Sequence, residues 1–160
     1  MDDTFGHLVK KLGFYPLTDQ PGVTEKTIHD FEEELGQPMP DDYREFLLHH
    51  GMVAATGLVF PDPNQPSKPG GGVGVFYGLQ PGSEYNLLSE WEGTKGEIPP
   101  GLLAIADSPG GLICIVLSGD ERGAVYWFAA EDSRSGSDDD FYLIAPSFTA
   151  FIHSLYLDDS

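Results

Sequence analysis

Between residues 23 and 51, apolar positions recur at helical spacing in two short runs, separated by the break Pro38-Met39-Pro40. At roughly 100° per residue, Ile28, Phe31 and Leu35 fall in one stripe, and Asp30, Glu33 and Glu34 fall on the opposite side. Thr24 is the expected N-cap, because its hydroxyl can accept from an orphan backbone N–H of the first turn. Val23 and Ile28 stand at the two positions of a hydrophobic staple. Gly36 takes the left-handed conformation easily and is the expected stop. The two prolines then prevent the helix from running on. In the second run Asp41 is the expected cap, with Asp42 placed favourably against the helix dipole. Tyr43, Phe46 and Leu47 form its apolar stripe and Gly51 its stop.

A shorter helix is expected at the N-terminus, where Phe5, Leu8, Val9 and Leu12 share a face and Gly13 follows; residues 14–21 read as connector. A strand is expected near 58–60. Residues 61–72 carry four prolines and three glycines and read as a surface loop. Residues 73–79 read as a strand weakened by Gly74 and Gly78. Residues 84–91 form a candidate third helix, capped by Ser83. Three strands in series follow at 102–106, 112–117 and 124–128, with turn-forming connections that favour antiparallel pairing. The run Leu-Ile-Cys-Ile-Val-Leu at 112–117 is apolar on both faces, which predicts a central strand covered on both sides. Residues 131–140 form an acidic polar loop. Phe141 to Ala145 read as one more strand, and Ser147 as the cap of a last helix with Phe148, Phe151, Ile152 and Leu155 inward. Helices at both ends and a mainly antiparallel sheet of about five to six strands between them define an α+β fold. The 160 residues are expected to make one domain.

Charge narrows the functional classes. Eight Lys+Arg stand against 26 Asp+Glu, for a formal charge of −18. Phosphate neutralisation supplies most of the affinity of a nucleic-acid binder, so nucleic acid is disfavoured as a partner, and an anionic membrane surface for the same reason. The charge suits solubility or a basic protein partner, whose approach it would accelerate. Cys114 is the only cysteine, so no intrachain disulfide is possible, which fits a reducing cytoplasm. Asp2 and Asp3 open a chain without a long apolar run, so neither a signal peptide nor a membrane helix is expected.

Motifs of chemistry are sparse. Gly70 to Gly74 lacks the Gly-Lys-Ser/Thr ending of a phosphate loop and the third glycine of a dinucleotide fingerprint. His49 and His50 are adjacent on a helix and have no carboxylate or cysteine at zinc spacing; His50 falls on the apolar side, and His29 and His153 face solvent. Cys114 lies in the most apolar strand, where burial raises a thiol's pKa, and reads as core. Glu32, Glu33 and Glu34 read as one charged helical side. No catalytic residue, metal site or cofactor is assigned. Trp127 reads as core, and Trp91 as either core or an interface anchor.

The order and spacing of these elements resemble the SUKH superfamily, whose members include bacterial immunity proteins and the Smi/Knr-like regulators of yeast cell-wall synthesis. The resemblance runs from Val23 to Leu155. It is carried by Ile28, Phe31, Glu32 and Leu35-Gly36, then by Pro40-x-x-Tyr43-x-x-Phe46-Leu47 with the His50-Gly51 turn. It continues through Ile98-Pro99-x-Gly101-Leu102-Leu103-x-Ile105-Ala106, Gly110-Gly111 and the Cys114 strand, then Gly123-x-Val125-Tyr126-Trp127 and Ala145-x-Ser147-Phe148-x-x-Phe151-Ile152. The family ends its second helix with Asn-Gly-Gly where this chain has His50-Gly51-Met52; Asn tolerates the left-handed backbone better than His, and the turn is expected to persist. For bacterial members the resemblance implies a non-enzymatic protein that binds and blocks a toxin, often a nuclease or nucleic-acid deaminase. The alternative within the family is an intracellular regulatory or scaffold protein with no toxin partner. Enzymes acting on nucleic acid usually present a basic cleft, which an acidic surface would complement. The candidate partner-binding residues are therefore Asp62, Glu131, Asp132, Asp138, Asp139 and Asp140 from the two unusual loops, together with Trp91 as an aromatic anchor.

Overall fold

The computed structural model describes residues 5–17, 23–50, 52–62, 65, 67–79, 86–94, 101–108, 111–128 and 141–157. Along them run α1 (Gly6–Lys11), β1 (Tyr15–Pro16), α2 (Glu25–Leu35), α3 (Asp41–His50), β2 (Val53–Ala54), β3 (Leu58–Pro61), β4 (Pro69–Gly72) and β5 (Val75–Phe76). They continue through α4 (Leu87–Thr94), β6 (Leu102–Ser108), β7 (Gly111–Val116), β8 (Val125–Phe128), β9 (Phe141–Ala145), α5 (Phe148–Ser154) and β10 (Tyr156–Leu157). A seven-stranded antiparallel sheet has the order β1-β2-β5-β6-β7-β8-β9, and a three-stranded sheet the order β10-β3-β4. The expected α+β class holds, with one more strand in the main sheet than expected and a second sheet beside it.

The local signals set most helix ends. Thr24 accepts the Thr27 N–H, and Gly36 closes α2 at φ 82°, where a side chain would be strained. The Ser147 hydroxyl accepts the Ala150 N–H at 3.0 Å and starts α5. At α3 the expected cap is corrected. The Pro40 carbonyl accepts the Arg44 N–H at 2.9 Å, so the cap position falls on Pro40 and Asp41 is already helical. The left-handed residue after α3 is Met52, at φ 66°, and not His50, which remains in the helix. Gly51 and Ser83 lie outside the described residues. The α4 helix starts at Leu87, three residues later than expected, and the Asn86 side chain accepts the Ser89 N–H at 3.2 Å as its cap.

A stretch read as connector, a stretch read as loop and one pair of residues given no element are strand. Tyr15 and Pro16 pair with Ala54 and Val53. Tyr156 and Leu157 pair with Val59 and Leu58. Pro69–Gly72, inside the expected surface loop, is β4 of a hairpin with β3. A Cβ on Gly71 would lie 2.8 Å from the Phe60 ring, so glycine here leaves room for that ring beside its own hairpin partner. The strand expected at 73–79 is regular only at Val75–Phe76.

Cross-strand neighbours Phe76, Ala106, Ile113, Trp127 and Tyr142 form one row across the main sheet, on a common face. On that face Phe76 meets the rings of Phe46 from α3 and of Phe148 and Phe151 from α5, with centroids 5.3, 6.4 and 6.3 Å away. At the other end of the row Trp127 meets Phe60 of β3 at 5.7 Å, so the small sheet covers that end. On the opposite face Ala104 and Cys114 pair and are fully buried, which confirms β7 as a central strand covered on both sides.

Burial pushes the Cys114 thiol up to about 12. Since Cys114 is the only cysteine, a disulfide-exchange reagent at pH 8 is expected to leave the native protein unmodified and to titrate one thiol in denaturant. Fast labelling of native protein would contradict the packing of β7.

Candidate partner-binding surface

Of the residues expected to carry binding, two are described. Asp62 follows β3 at the start of the hairpin connection, donating its N–H to the Lys68 carbonyl at 2.8 Å and accepting the Gln65 N–H at 3.2 Å. Its backbone thus builds the turn, and the residue is half-buried. Trp91 lies on α4, half-buried, with its ring edge-to-face on Phe31 of α2 at 6.4 Å. Asp62 belongs to the small-sheet hairpin and Trp91 to the contact between α4 and α2, so they serve separate elements. Glu131, Asp132, Asp138, Asp139 and Asp140 lie outside the described residues.

Two carboxylates, Glu32, read with the charged helical side, and Asp107, are structural. Glu32 accepts the Met39 N–H at 2.8 Å and faces Arg44, which also binds Glu25 at 2.7 Å. One side chain therefore ties α2 to the segment entering α3, and Glu32 differs from its exposed neighbours Glu33 and Glu34. Asp107 accepts the Val75 N–H at 2.6 Å across the β5–β6 junction. Partial burial, and then the charge of Asp107, hold the nearby Glu90 carboxyl above the usual carboxylate range.

The clearest exposed apolar feature sits on β9. Tyr142 and Leu143 are 39% and 48% exposed and point to opposite faces of the sheet. Tyr142 lies beside Trp127, rings 5.7 Å apart, and Phe141 stacks on Phe128 at 4.6 Å with their planes 12° apart. Trp127, read as core, is half-buried, packed on Phe60 below and Tyr142 at the rim. Leu143 pairs across the strands with Tyr126, whose hydroxyl donates to Glu121 at 2.6 Å. That hydrogen bond, with a smaller contribution from burial, raises the Tyr126 phenol to about 12. The margin of the sheet thus combines aromatic surface with a fixed carboxylate.

Tyr142 and Leu143 were missed as site candidates because Phe141 to Ala145 reads simply as a strand. The available signal was a fully apolar strand with no charge, directly after three aspartates. Among the described residues, no group of three or more His, Cys, Asp or Glu side chains is arranged to hold a metal, and no helix is long and apolar enough to cross a membrane.

A comparison with curated proteins finds a relative in Bacillus subtilis (strain 168), the SPbeta prophage-derived uncharacterized protein YokK. It is 28% identical over 160 aligned residues, which cover 89% of this chain and 78% of that protein. Residues 22–154, nearly the whole span over which the sequence patterns run, match the family described as SMI1 / KNR4 (SUKH-1), and the chain belongs to that family.

Proposed function

We propose that this chain is a non-enzymatic binding protein of the immunity type, which binds and neutralises a cognate toxin domain in the cytoplasm. The observation that carries the proposal is membership of the SUKH-1 family over residues 22–154. The prophage origin named for the Bacillus relative supports it, since a mobile element benefits its host by supplying protection. The charge of −18 favours a target with a basic surface, as expected of a nuclease or deaminase domain. Asp62, Glu131, Asp132, Asp138, Asp139 and Asp140 supply the attracting charge in this proposal, and Trp91 adds an apolar contact.

The tagged chain should co-purify with the product of a neighbouring gene and rescue cells that express it. Raising the salt concentration, or converting the six carboxylates together to their amides, should slow association by about tenfold or more. Salt-independent affinity would remove the electrostatic part of the proposal. A stable complex with a housekeeping protein, without any rescue, would favour the regulatory or scaffold alternative.

A further inference from the structure

Among the described residues the two sheets have four edges, and natural proteins protect such edges because unpaired N–H and C=O groups recruit foreign strands. Three of the four edges here are protected. β1 is two residues long and contains Pro16. β10 is also two residues long. β4 is Pro-Gly-Gly-Gly, which lacks one donor and offers no side chains to grip. β9 differs: it is five residues, Phe-Tyr-Leu-Ile-Ala, without proline, glycine or charge. It is the last strand of the seven-stranded sheet, and among the described residues nothing pairs with its outer side. Its register shift leaves Ile144 without a cross-strand partner, so Phe141–Leu143 form the regular part of the edge.

We propose that β9 is a docking edge that takes up an extended, cationic segment of the partner protein as an eighth strand of the main sheet. The incoming backbone pairs with those groups of Phe141–Leu143 that point away from β8, which alternate residue by residue along the strand. Its alternate side chains meet Tyr142 on one face and Leu143 on the other. Charge selects the occupant. Asp138, Asp139 and Asp140 directly precede Phe141 in the chain, and Glu121 accepts the hydroxyl of Tyr126, the cross-strand neighbour of Leu143. A second copy of the chain would bring −18 against −18, which is repulsive, whereas lysine or arginine on an incoming strand is attracted.

This inference rests on the binding-protein reading but is tested apart from it. The probe is a short fluorescent peptide of alternating lysine and valine, compared with a proline-interrupted peptide of equal charge. The strand-forming peptide should bind about tenfold tighter than the interrupted one and slow amide exchange within residues 141–143. Leu143→Lys should weaken it about tenfold, while Leu157→Lys and Tyr15→Lys, at equally exposed apolar sites on other edges, should leave it unchanged. Circular dichroism and the unfolding midpoint establish that each variant is folded; if Leu143→Lys is not, Tyr142→Lys replaces it. Equal binding of the two peptides, unchanged exchange at β9, or a self-associating protein dispersed by Leu143→Lys would each overturn the proposal. If Leu143→Lys abolishes peptide pairing yet still rescues cells from the toxin, the immunity reading stands and β9 is not its contact. If the wild-type chain pairs with the peptide but rescues nothing, the docking edge stands and the immunity reading falls.

Discussion

Replacing Phe148 by alanine is expected to lower the unfolding free energy by about 3–5 kcal/mol, the largest loss from any single truncation in this fold. Phe148 is fully buried, and five aromatic rings surround it. Phe5, Tyr43, Phe46, Phe76 and Phe151 have centroids 5.6, 5.1, 5.1, 6.4 and 6.2 Å away. These rings come from the residue preceding α1, from α3, from β5 and from α5 itself, so one side chain joins the N-terminus, two helices and the main sheet. Removal forfeits the transfer free energy of the ring and leaves a cavity that rigid aromatic walls refill poorly. Domains are stable by only about 5–15 kcal/mol, so the variant should be marginal at 37 °C. Urea unfolding followed by far-ultraviolet circular dichroism gives the value. Phe148→Leu should lose less than half as much, because most of the volume is retained. A loss below about 1 kcal/mol for the alanine variant would mean that the aromatic cluster is not the centre of the core.

How much of this was legible in the sequence follows from the range of the forces involved. Thr24, Gly36 and Ser147 were legible because a cap is a contact between residues three or four apart. The central position of β7 was legible because Ile113, Cys114 and Ile115 permit no solvated face. The two-residue strands β1, β2 and β10 were not, because segments so short have no period of their own and exist only through their partners. β4 was hidden by its composition. Pro-Gly-Gly-Gly is a loop signal, yet it pairs with β3, and a side chain at Gly71 would crowd the Phe60 ring of its cross-strand partner. Glu32 was grouped with Glu33 and Glu34 by charge, although its role is set by Met39 and Arg44, seven and twelve residues away. The candidate surface was legible in charge and opaque in place: composition pointed to a basic partner, while the exposure of Tyr142 and Leu143 depends on β9 ending the strand order.

Asp42→Ala is the second large expected loss, about 2–3 kcal/mol, from a residue that sequence reasoning assigned only a favourable position near a dipole. One carboxylate oxygen accepts the Tyr43 N–H at 2.8 Å within α3. The other accepts both the N–H and the hydroxyl of Thr149 at 2.9 Å, more than one hundred residues further along the chain. Thr149 is the second residue of α5, where backbone N–H groups have no partner inside the helix. Ser147 satisfies Ala150, and Asp42 satisfies Thr149, so an acidic side chain of α3 completes the cap of α5 and places negative charge at its positive end. Alanine leaves these part-buried donors without an acceptor, which costs more than a surface hydrogen bond is worth. The midpoint of thermal unfolding should fall by roughly 5–10 °C for a chain of this size. Asp42→Asn, which keeps one acceptor oxygen but not the charge, should lose about half as much. Thr149→Val separates the two bonds that α5 makes to Asp42, because it removes the hydroxyl and keeps the amide. In the cycle of Asp42→Ala and Thr149→Val, the double variant should be at least about 0.5–1 kcal/mol more stable than the sum of the single losses. Strict additivity would show that the two side chains do not meet and would leave the Thr149 N–H as the bond by which Asp42 ties α3 to α5.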